Sequence, residues 1–263
     1  MDEESIAKAA QTLLGAYASR LPVAPLTAAW PGLSAADAYA IQRAQVASWT
    51  AGGAVLKGHK VGLTSAAMQR QLGVDQPDFG CLLDTMFLPE GTAADYGRLL
   101  QPKAEPEIAL VLGRPLRGPG VTVAEALAAV EFVLPALEII DSRIADWKIT
   151  LPDTIADNAS SGAVVLGSRP VRPESVDLAL TGCLLLRNGR IEGTGAGGAV
   201  LGSPVNALVW LANTLGALGV GLEAGHVVLP GSVCAAIAFG PGDTVSAAFD
   251  RIGSVSITFS EKS

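Results

Sequence analysis

The sequence predicts an α+β chain with a small helical region at its N-terminus, rather than a doubly wound α/β fold. Three observations predict it. Helical spacing of apolar residues is concentrated in the first fifty positions. From residue 54 onward, short apolar runs bounded by Gly and Pro dominate, the pattern of strands. Long helices alternating with those runs, which a doubly wound parallel sheet requires, are scarce. These cues divide the chain into an N-terminal α+β region over 1–75 and a larger domain over 76–263, with no internal repeat.

Each element has a local reason. Residues 4–19 place Ile6, Ala10, Leu13, Leu14 and Tyr17 on one helical stripe. Pro22, Pro25 and Pro31 then enforce a loop. Ser34-Ala35-Ala36-Asp37 reads as a capping box opening a helix through Ala47, and Gly52-Gly53 closes it. Ala54 to Leu63 reads as a strand carrying Lys57, His59 and Lys60. A short helix is expected from Ser65 to Leu72, and a turn at Gln76-Pro77-Asp78-Phe79-Gly80. Cys81 to Leu88 is strand-like, and an acidic strand follows from Pro102 to Leu112. Thr122-Val123-Ala124-Glu125 is a second capping box, feeding a helix and then the apolar run Phe132 to Ile140.

Beyond this, Asp141 to Trp147 reads as a bend with a short helix, and Asp157 to Gly162 as a polar loop before a strand over 163–166. A hairpin is expected across Asn188-Gly189, since that dipeptide accepts the positive φ of a tight turn. A helix opens at Pro204 and runs to Leu218, followed by short strands over 226–229, 234–239, 244–249 and 255–259.

Composition excludes several function classes. Nearly half of the 263 residues are apolar and only 16% are charged, too apolar for a disordered chain. A net charge of −7 disfavours nucleic acid or an anionic membrane as partner. Asn206, Asn213, Thr214 and three glycines interrupt Val205 to Leu222, the stretch most like a membrane span, so a buried helix is expected there. Cys81, Cys183 and Cys234 lie far apart, which suggests free thiols and a cytoplasmic protein. The acidic N-terminus lacks the layout of a signal peptide.

The chemistry centres on acids placed inside apolar strands. In an extended strand Glu105 and Glu107 share a face, and Glu138 sits alone among Leu and Ile. Two carboxylates about 6 Å apart repel by roughly 3 kcal/mol at an effective dielectric near 20. Such a group must hold a proton, meet Lys or Arg, or bind a cation. An oxygen-only donor set suits Mg²⁺ or Mn²⁺ better than Zn²⁺. Two alternatives stand: Glu105 and Glu107 as solvated charges on an edge strand marked by Pro106, and Arg143 as the partner of Glu138. Lys60, between Gly58 and Gly62, is a candidate acid or base, against an ordinary surface lysine. Asp78 is a candidate beside plain turn chemistry, and Ser160 beside a loop cap. His59 alternates with Lys60 and reads as structural.

Gly193-Thr194-Gly195-Ala196-Gly197-Gly198 satisfies Gly-x-Gly-x-x-Gly but follows a hairpin, so it reads as a flexible loop near the site rather than a dinucleotide cradle. No nucleophile elbow is present, and two histidines leave little for a serine triad. Cys81 reads as a packed small side chain.

Several motifs together resemble the 2-keto-4-pentenoate hydratases of the fumarylacetoacetate hydrolase superfamily. They are Lys60-Val61-Gly62-Leu63-Thr64, Gly73 to Gly80, Pro102 to Glu107, Glu138 to Arg143, Ala156 to Ser161, Leu201 to Ala207 and Gly253-Ser254-Val255. The resemblance implies a fumarylacetoacetate hydrolase-like mixed β core, with 76–263 as the catalytic domain, often in homo-oligomers. It implies Mg²⁺ or Mn²⁺ on Glu105, Glu107 and Glu138, Lys60 and Asp78 as catalytic residues over the metal, and Leu63 and Ser160 beside the substrate. The implied reaction is hydration of 2-hydroxypenta-2,4-dienoate to 4-hydroxy-2-oxopentanoate, in meta-cleavage degradation of aromatic compounds or steroids. A complex with a sister decarboxylase or a downstream aldolase is an implied partnership. The rivals are 4-oxalocrotonate decarboxylase, an acylpyruvate-type C–C hydrolase and a catalytically silent keto-acid-binding protein.

Overall fold

The computed structural model describes residues 1–65, 69–70 and 73–260. The helix expected from Ser65 to Leu72 lies in large part outside them. Helix α1 (Glu3–Ser19) starts at Asp2, whose carboxylate accepts from the Ser5 N–H, and Glu3 and Glu4 complement the helix dipole. A single turn, α2 (Leu26–Ala29), leads to α3 (Ala35–Ala51), opened by the expected Ser34–Asp37 capping box. Helix α3 runs one turn past Ala47 because Trp49 meets the edge of Tyr17 from α1, with ring centroids 5.3 Å apart.

The strands are β1 (Leu56–Gly62), β2 (Asp78–Leu83), β3 (Phe87–Leu88), β4 (Ala93–Ala94), β5 (Lys103–Leu112), β6 (Val130–Ile140) and β7 (Ser161–Leu166). They continue as β8 (Gly182–Arg187), β9 (Arg190–Ala196), β10 (Val227–Leu229), β11 (Ile237–Ala238), β12 (Thr244–Phe249) and β13 (Gly253–Phe259). Later helices among the described residues include α4 (Val123–Ala129), α5 (Leu151–Ala156) and α6 (Pro204–Ala217). One mixed sheet runs β2-β1-β10-β5-β6-β7-β3, with β11 also paired to β5; a second runs β4-β13-β12-β8-β9. Ile108, Leu110 and Leu137 of the first sheet, Leu185, Val245 and Ile257 of the second, and Leu208 and Leu211 of α6 form one buried core. A second core joins Leu13, Leu26 and Ile41 of the N-terminal helices to Ile144 and Ile155.

Three expectations change, and one helix stands where none was expected. Residues 76–80 are not all turn, since Asp78 opens β2 and pairs with Gly62. The glycine-rich run is no flexible loop. It completes β9 and enters a 3₁₀ turn at Gly197–Ala199, where a Cβ at Gly195 or Gly197 would overlap the carbonyls of Val233 or Leu178. Helix α5 was not foreseen, because Leu151-Pro152-Asp153 looks loop-like, yet Thr150 and Asp153 cap it and Pro152 suits its first turn. Strand β5 is no edge, lying between β6 and β10/β11. The expected boundary at 75/76 falls in the connection between β1 and β2, which are antiparallel neighbours in one sheet.

A candidate metal centre on two strands

Register explains how the acids meet. Glu105 lies directly opposite Glu138 on the β5–β6 ladder, and Glu107 lies two residues along the same face, opposite Ala136. One oxygen from each carboxylate falls within 4.8 Å of the others. Glu107 and Glu138 have no solvent exposure, and Glu105 is half-buried. Pro106 fits between the acids because β10 and β11 leave a gap along β5. There its carbonyl accepts from the Val233 N–H, so the absent proline N–H faces the same loop.

The donor set is what a hard divalent cation takes. Glu107 Oε2 accepts from the Gly231 N–H at 2.7 Å, while Glu107 Oε1 and both oxygens of Glu138 have no hydrogen-bond partner among the described residues. Orphaned buried carboxylate oxygens are costly, and a cation fitting among them removes that cost. Burial pushes Glu105 up to about 7, with Glu138 adding to the rise and Lys60 opposing it. Glu107 is raised well above the usual range by burial and by the two other glutamates.

Lys60 and Asp78 approach from β1 and β2. Lys60 lies opposite Gly80 and Asp78 opposite Gly62, so each buried ionisable side chain faces a glycine across the ladder. Lys60 Nζ donates to the Ala159 carbonyl at 2.9 Å and stands 3.3 Å from Glu138 Oε1, without the alignment of a hydrogen bond. Burial alone would discharge this amine, but Glu138, Asp78, Glu105 and Glu107 reverse the effect and raise its pKa. Asp78 is raised by burial against the pull of Lys60, and its Oδ1 has no partner among the described residues. Lys60 is therefore not an ordinary surface lysine.

Leu63 follows β1 in a left-handed conformation, φ 57°, half-buried. Its neighbour Thr64 packs so closely on Gly231 that a Cβ there would overlap the Thr64 hydroxyl. That corner therefore lies beside the Gly231 N–H that binds Glu107. Ser160 is buried, with its hydroxyl 3.4 Å from Asp157 Oδ2, next to the carbonyl that takes Lys60. Arg143 is not the partner of Glu138. It pairs with Asp157 at 2.5 Å, and Lys60 is the cation beside Glu138. The Gly231 N–H and Ala159 carbonyl escaped the sequence reading, since a backbone group leaves no residue-type signal.

His59 is buried on the other side of β1, 6.2 Å ring to ring from His226, and burial holds its pKa down to about 3. It is a neutral core histidine. Burial pushes the Cys81 thiol up to about 12, which makes it a poor nucleophile. A cavity of about 580 Å³ lined by Tyr17, Trp49, Arg98 and Phe259 holds none of the three glutamates. Chemistry, not cavity size, locates the site.

This fold and acid cluster define a fumarylacetoacetate hydrolase-like protein, and the family described as fumarylacetoacetate hydrolase C-terminal matches residues 59–260. A 2-keto-4-pentenoate hydratase of Paraburkholderia xenovorans (strain LB400) is 47% identical over 252 residues, covering 96% of this chain and 94% of that protein. A 2-hydroxyhexa-2,4-dienoate hydratase of Comamonas testosteroni is 43% identical, covering 99% of each. The chain belongs to the 2-keto-4-pentenoate hydratase family. Among solved structures it is similar to 4-oxalocrotonate decarboxylase from Pseudomonas putida G7 complexed with magnesium and adipate, with a TM-score of 0.96, 36% identity and 98% of each chain covered.

Proposed function

We propose that the protein is a metal-dependent hydro-lyase that adds water to 2-hydroxypenta-2,4-dienoate, or a substituted analogue, giving 4-hydroxy-2-oxopentanoate in meta-cleavage catabolism of aromatic compounds or steroids. The observation that carries this reading is the cluster of three carboxylates within 4.8 Å, with Lys60 Nζ 3.3 Å from one of them. Glu105, Glu107 and Glu138 would hold Mg²⁺ or Mn²⁺. When bound, the cation supplies Lewis-acid polarisation to a 2-oxo acid and offsets the charge of the glutamates.

The chain's own side chains manage the protons. In the first stage the 2-hydroxyl loses a proton and C5 gains one, giving the 2-oxo-3-enoate; in the second, hydroxide from water adds at C4 and C3 gains a proton. Lys60 is held protonated by four neighbouring carboxyl groups, and a cation offsetting their charge would lower its pKa toward the range in which Nζ can donate. Asp78, with its raised pKa and an Oδ1 that has no partner among the described residues, suits proton exchange at that atom. Leu63 and the Ser160 hydroxyl would contact a substrate held at the glutamates, a role supported by the packing of Thr64 on Gly231 and by the place of Ser160 next to Ala159, whose carbonyl takes Lys60. A homo-oligomer, cytoplasmic and associated with a sister decarboxylase or a downstream aldolase, is part of the same proposal. No helix among the described residues is long and apolar enough to cross a membrane.

Purified protein with Mg²⁺ should hydrate the hydroxydienoate, lose activity in chelator, and regain it when the ion is restored. Lys60→Ala should lower kcat by about 10²–10⁴-fold, the range of a lost general acid, with Mg²⁺ affinity nearly unchanged. Because of the likeness to the decarboxylase, 4-oxalocrotonate is assayed in parallel. CO₂ release without hydration of the dienoate would reassign the reaction while leaving the metal site intact.

A further inference from the structure

Asn158, Ala159 and Ser160 all lie in the left-handed region, with φ of 51°, 51° and 53°. Three successive non-glycine residues there are disfavoured by contact of each Cβ with the next carbonyl, so the surroundings must hold the turn in place. Arg143 grips both of its ends. Its Nη2 donates to the Asp157 carbonyl at 2.9 Å and its Nη1 to the Ser161 carbonyl at 3.1 Å. The Asp157 carboxylate accepts from Arg143 Nε at 2.5 Å, the Arg143 N–H at 3.1 Å, Ser142 Oγ at 3.2 Å and Ser160 Oγ at 3.4 Å. The guanidinium has no solvent exposure and rests on the Tyr17 ring, 4.4 Å from its centroid. Asn158 ties the turn to β2, its Oδ1 accepting from the Cys81 N–H at 2.8 Å and its Nδ2 donating to the Cys81 carbonyl at 2.9 Å.

A buried ion pair is weak evidence for stability, because a packed apolar pair of similar volume often serves as well. An apolar pair cannot grip two carbonyls four residues apart and fix a left-handed turn between them. The middle carbonyl of that turn, Ala159, accepts from Lys60 Nζ at 2.9 Å. An ammonium has three donors. One goes to Ala159 and one points near Glu138, so the direction of the third depends on where Ala159 stands.

We propose that Arg143, Asp157 and Asn158 are positioning residues: they lock the 158–160 turn so that the Ala159 carbonyl aims the Lys60 ammonium into the glutamate site. The inference rests on the proposed role of Lys60. Among the described residues, none of their side-chain hydrogen bonds goes to Glu105, Glu107, Glu138 or Lys60. Asn158→Gly is the cleanest test, since glycine accepts the left-handed turn but loses both bonds to Cys81. Its kcat should fall about 30–100-fold, as a small misplacement of a reacting group does. Its Mg²⁺ affinity should stay near wild type, its melting temperature should fall only as far as two lost buried hydrogen bonds require, and its KM should rise no more than that of Ser160→Ala. Asn158→Asp, which can still accept from the Cys81 N–H, should recover part of the loss. Arg143→Lys keeps the charge but cannot span both carbonyls, and should show the same kcat loss in whatever fraction folds. A folded Asn158→Gly enzyme with kcat within about twofold of wild type, a change of only a few tenths of a kcal/mol, overturns the inference. Lys60→Ala made alongside separates the two failures. If Lys60→Ala is inactive and Asn158→Gly is not, only the positioning role falls; if Lys60→Ala turns over normally, both fall.

Discussion

Burial makes Glu105, Glu107 and Asp78 reluctant to ionise, and the sign of the resulting pH effect follows. Glu105 is raised from its ordinary 4.5 to about 7. Between those values the unfolded chain has released a proton that the folded chain keeps, so stability falls as pH rises. The contribution is fully present below the unfolded value and is lost through about pH 7, worth up to about 3 kcal/mol by the free energy of each pKa unit. Glu107 and Asp78 shift in the same direction. A divalent cation among the glutamates favours their charged forms and removes the slope. Thermal melts from pH 5 to 8 should therefore show the melting temperature in chelator falling away from that in Mg²⁺ as pH rises. Parallel curves would mean that the carboxylates are not brought together as described. The acids themselves were legible in the sequence, because strand alternation sets Glu105 and Glu107 on one face. The cross-strand register with Glu138 was not, since it depends on which strands pair.

At the scale of the element, glycines opposite functional residues shape the site. Gly62 faces Asp78 and Gly80 faces Lys60 across the β1–β2 ladder. A Cβ at Gly62 would overlap Asp78 Oδ1, and one at Gly80 would overlap the Asn158 carbonyl. Gly62→Ala should push Asp78 out of place and lower kcat by about 100-fold. Mg²⁺ affinity should stay within about threefold, well under the tenfold that 1.4 kcal/mol represents. Steady-state kinetics and calorimetric Mg²⁺ titration check both numbers, and unchanged kcat would show that Asp78 needs no fixed position. The sequence marks Gly62, with Gly58, as flanking Lys60 and permitting close backbone approach, but reads Asp78 and Gly80 as parts of a turn. Pro77 dominated that local pattern, and only the pairing of β2 with β1 reveals a strand. Thr150-Leu151-Pro152-Asp153 carries no clear helical signal for a similar reason, because Pro reads as a breaker until its position in the first turn of α5 is known. The Gly-x-Gly-x-x-Gly run ends a strand and enters a 3₁₀ turn, and its glycines serve close backbone packing rather than a loop.

Across the whole molecule, the N-terminal residues are built into the body that carries the acids. Strand β1 lies between β2 and β10 in the larger sheet, antiparallel to one and parallel to the other. Helices α1 and α3 bury Leu13 and Ile41 against Ile144 and Ile155, and Tyr17 of α1 supports the Arg143 guanidinium. Cutting the chain at the boundary that composition suggests would remove Lys60 and leave β2 and β10 with unsatisfied edges. It would also uncover Ile144 and Ile155, each such buried side chain being worth about 2 kcal/mol. A fragment of residues 76–263 should accordingly show no cooperative thermal transition and should bind a hydrophobic dye. The full chain should melt in one step that Mg²⁺ shifts upward, because a ligand bound only by the folded state stabilises it by mass action. Co-expressing residues 1–75 with the fragment should restore some Mg²⁺-dependent melting if β1 can re-enter the sheet. A fragment that melts cooperatively on its own and binds Mg²⁺ would show that the glutamate strands fold without β1, leaving Lys60 and the N-terminal helices as an attached module.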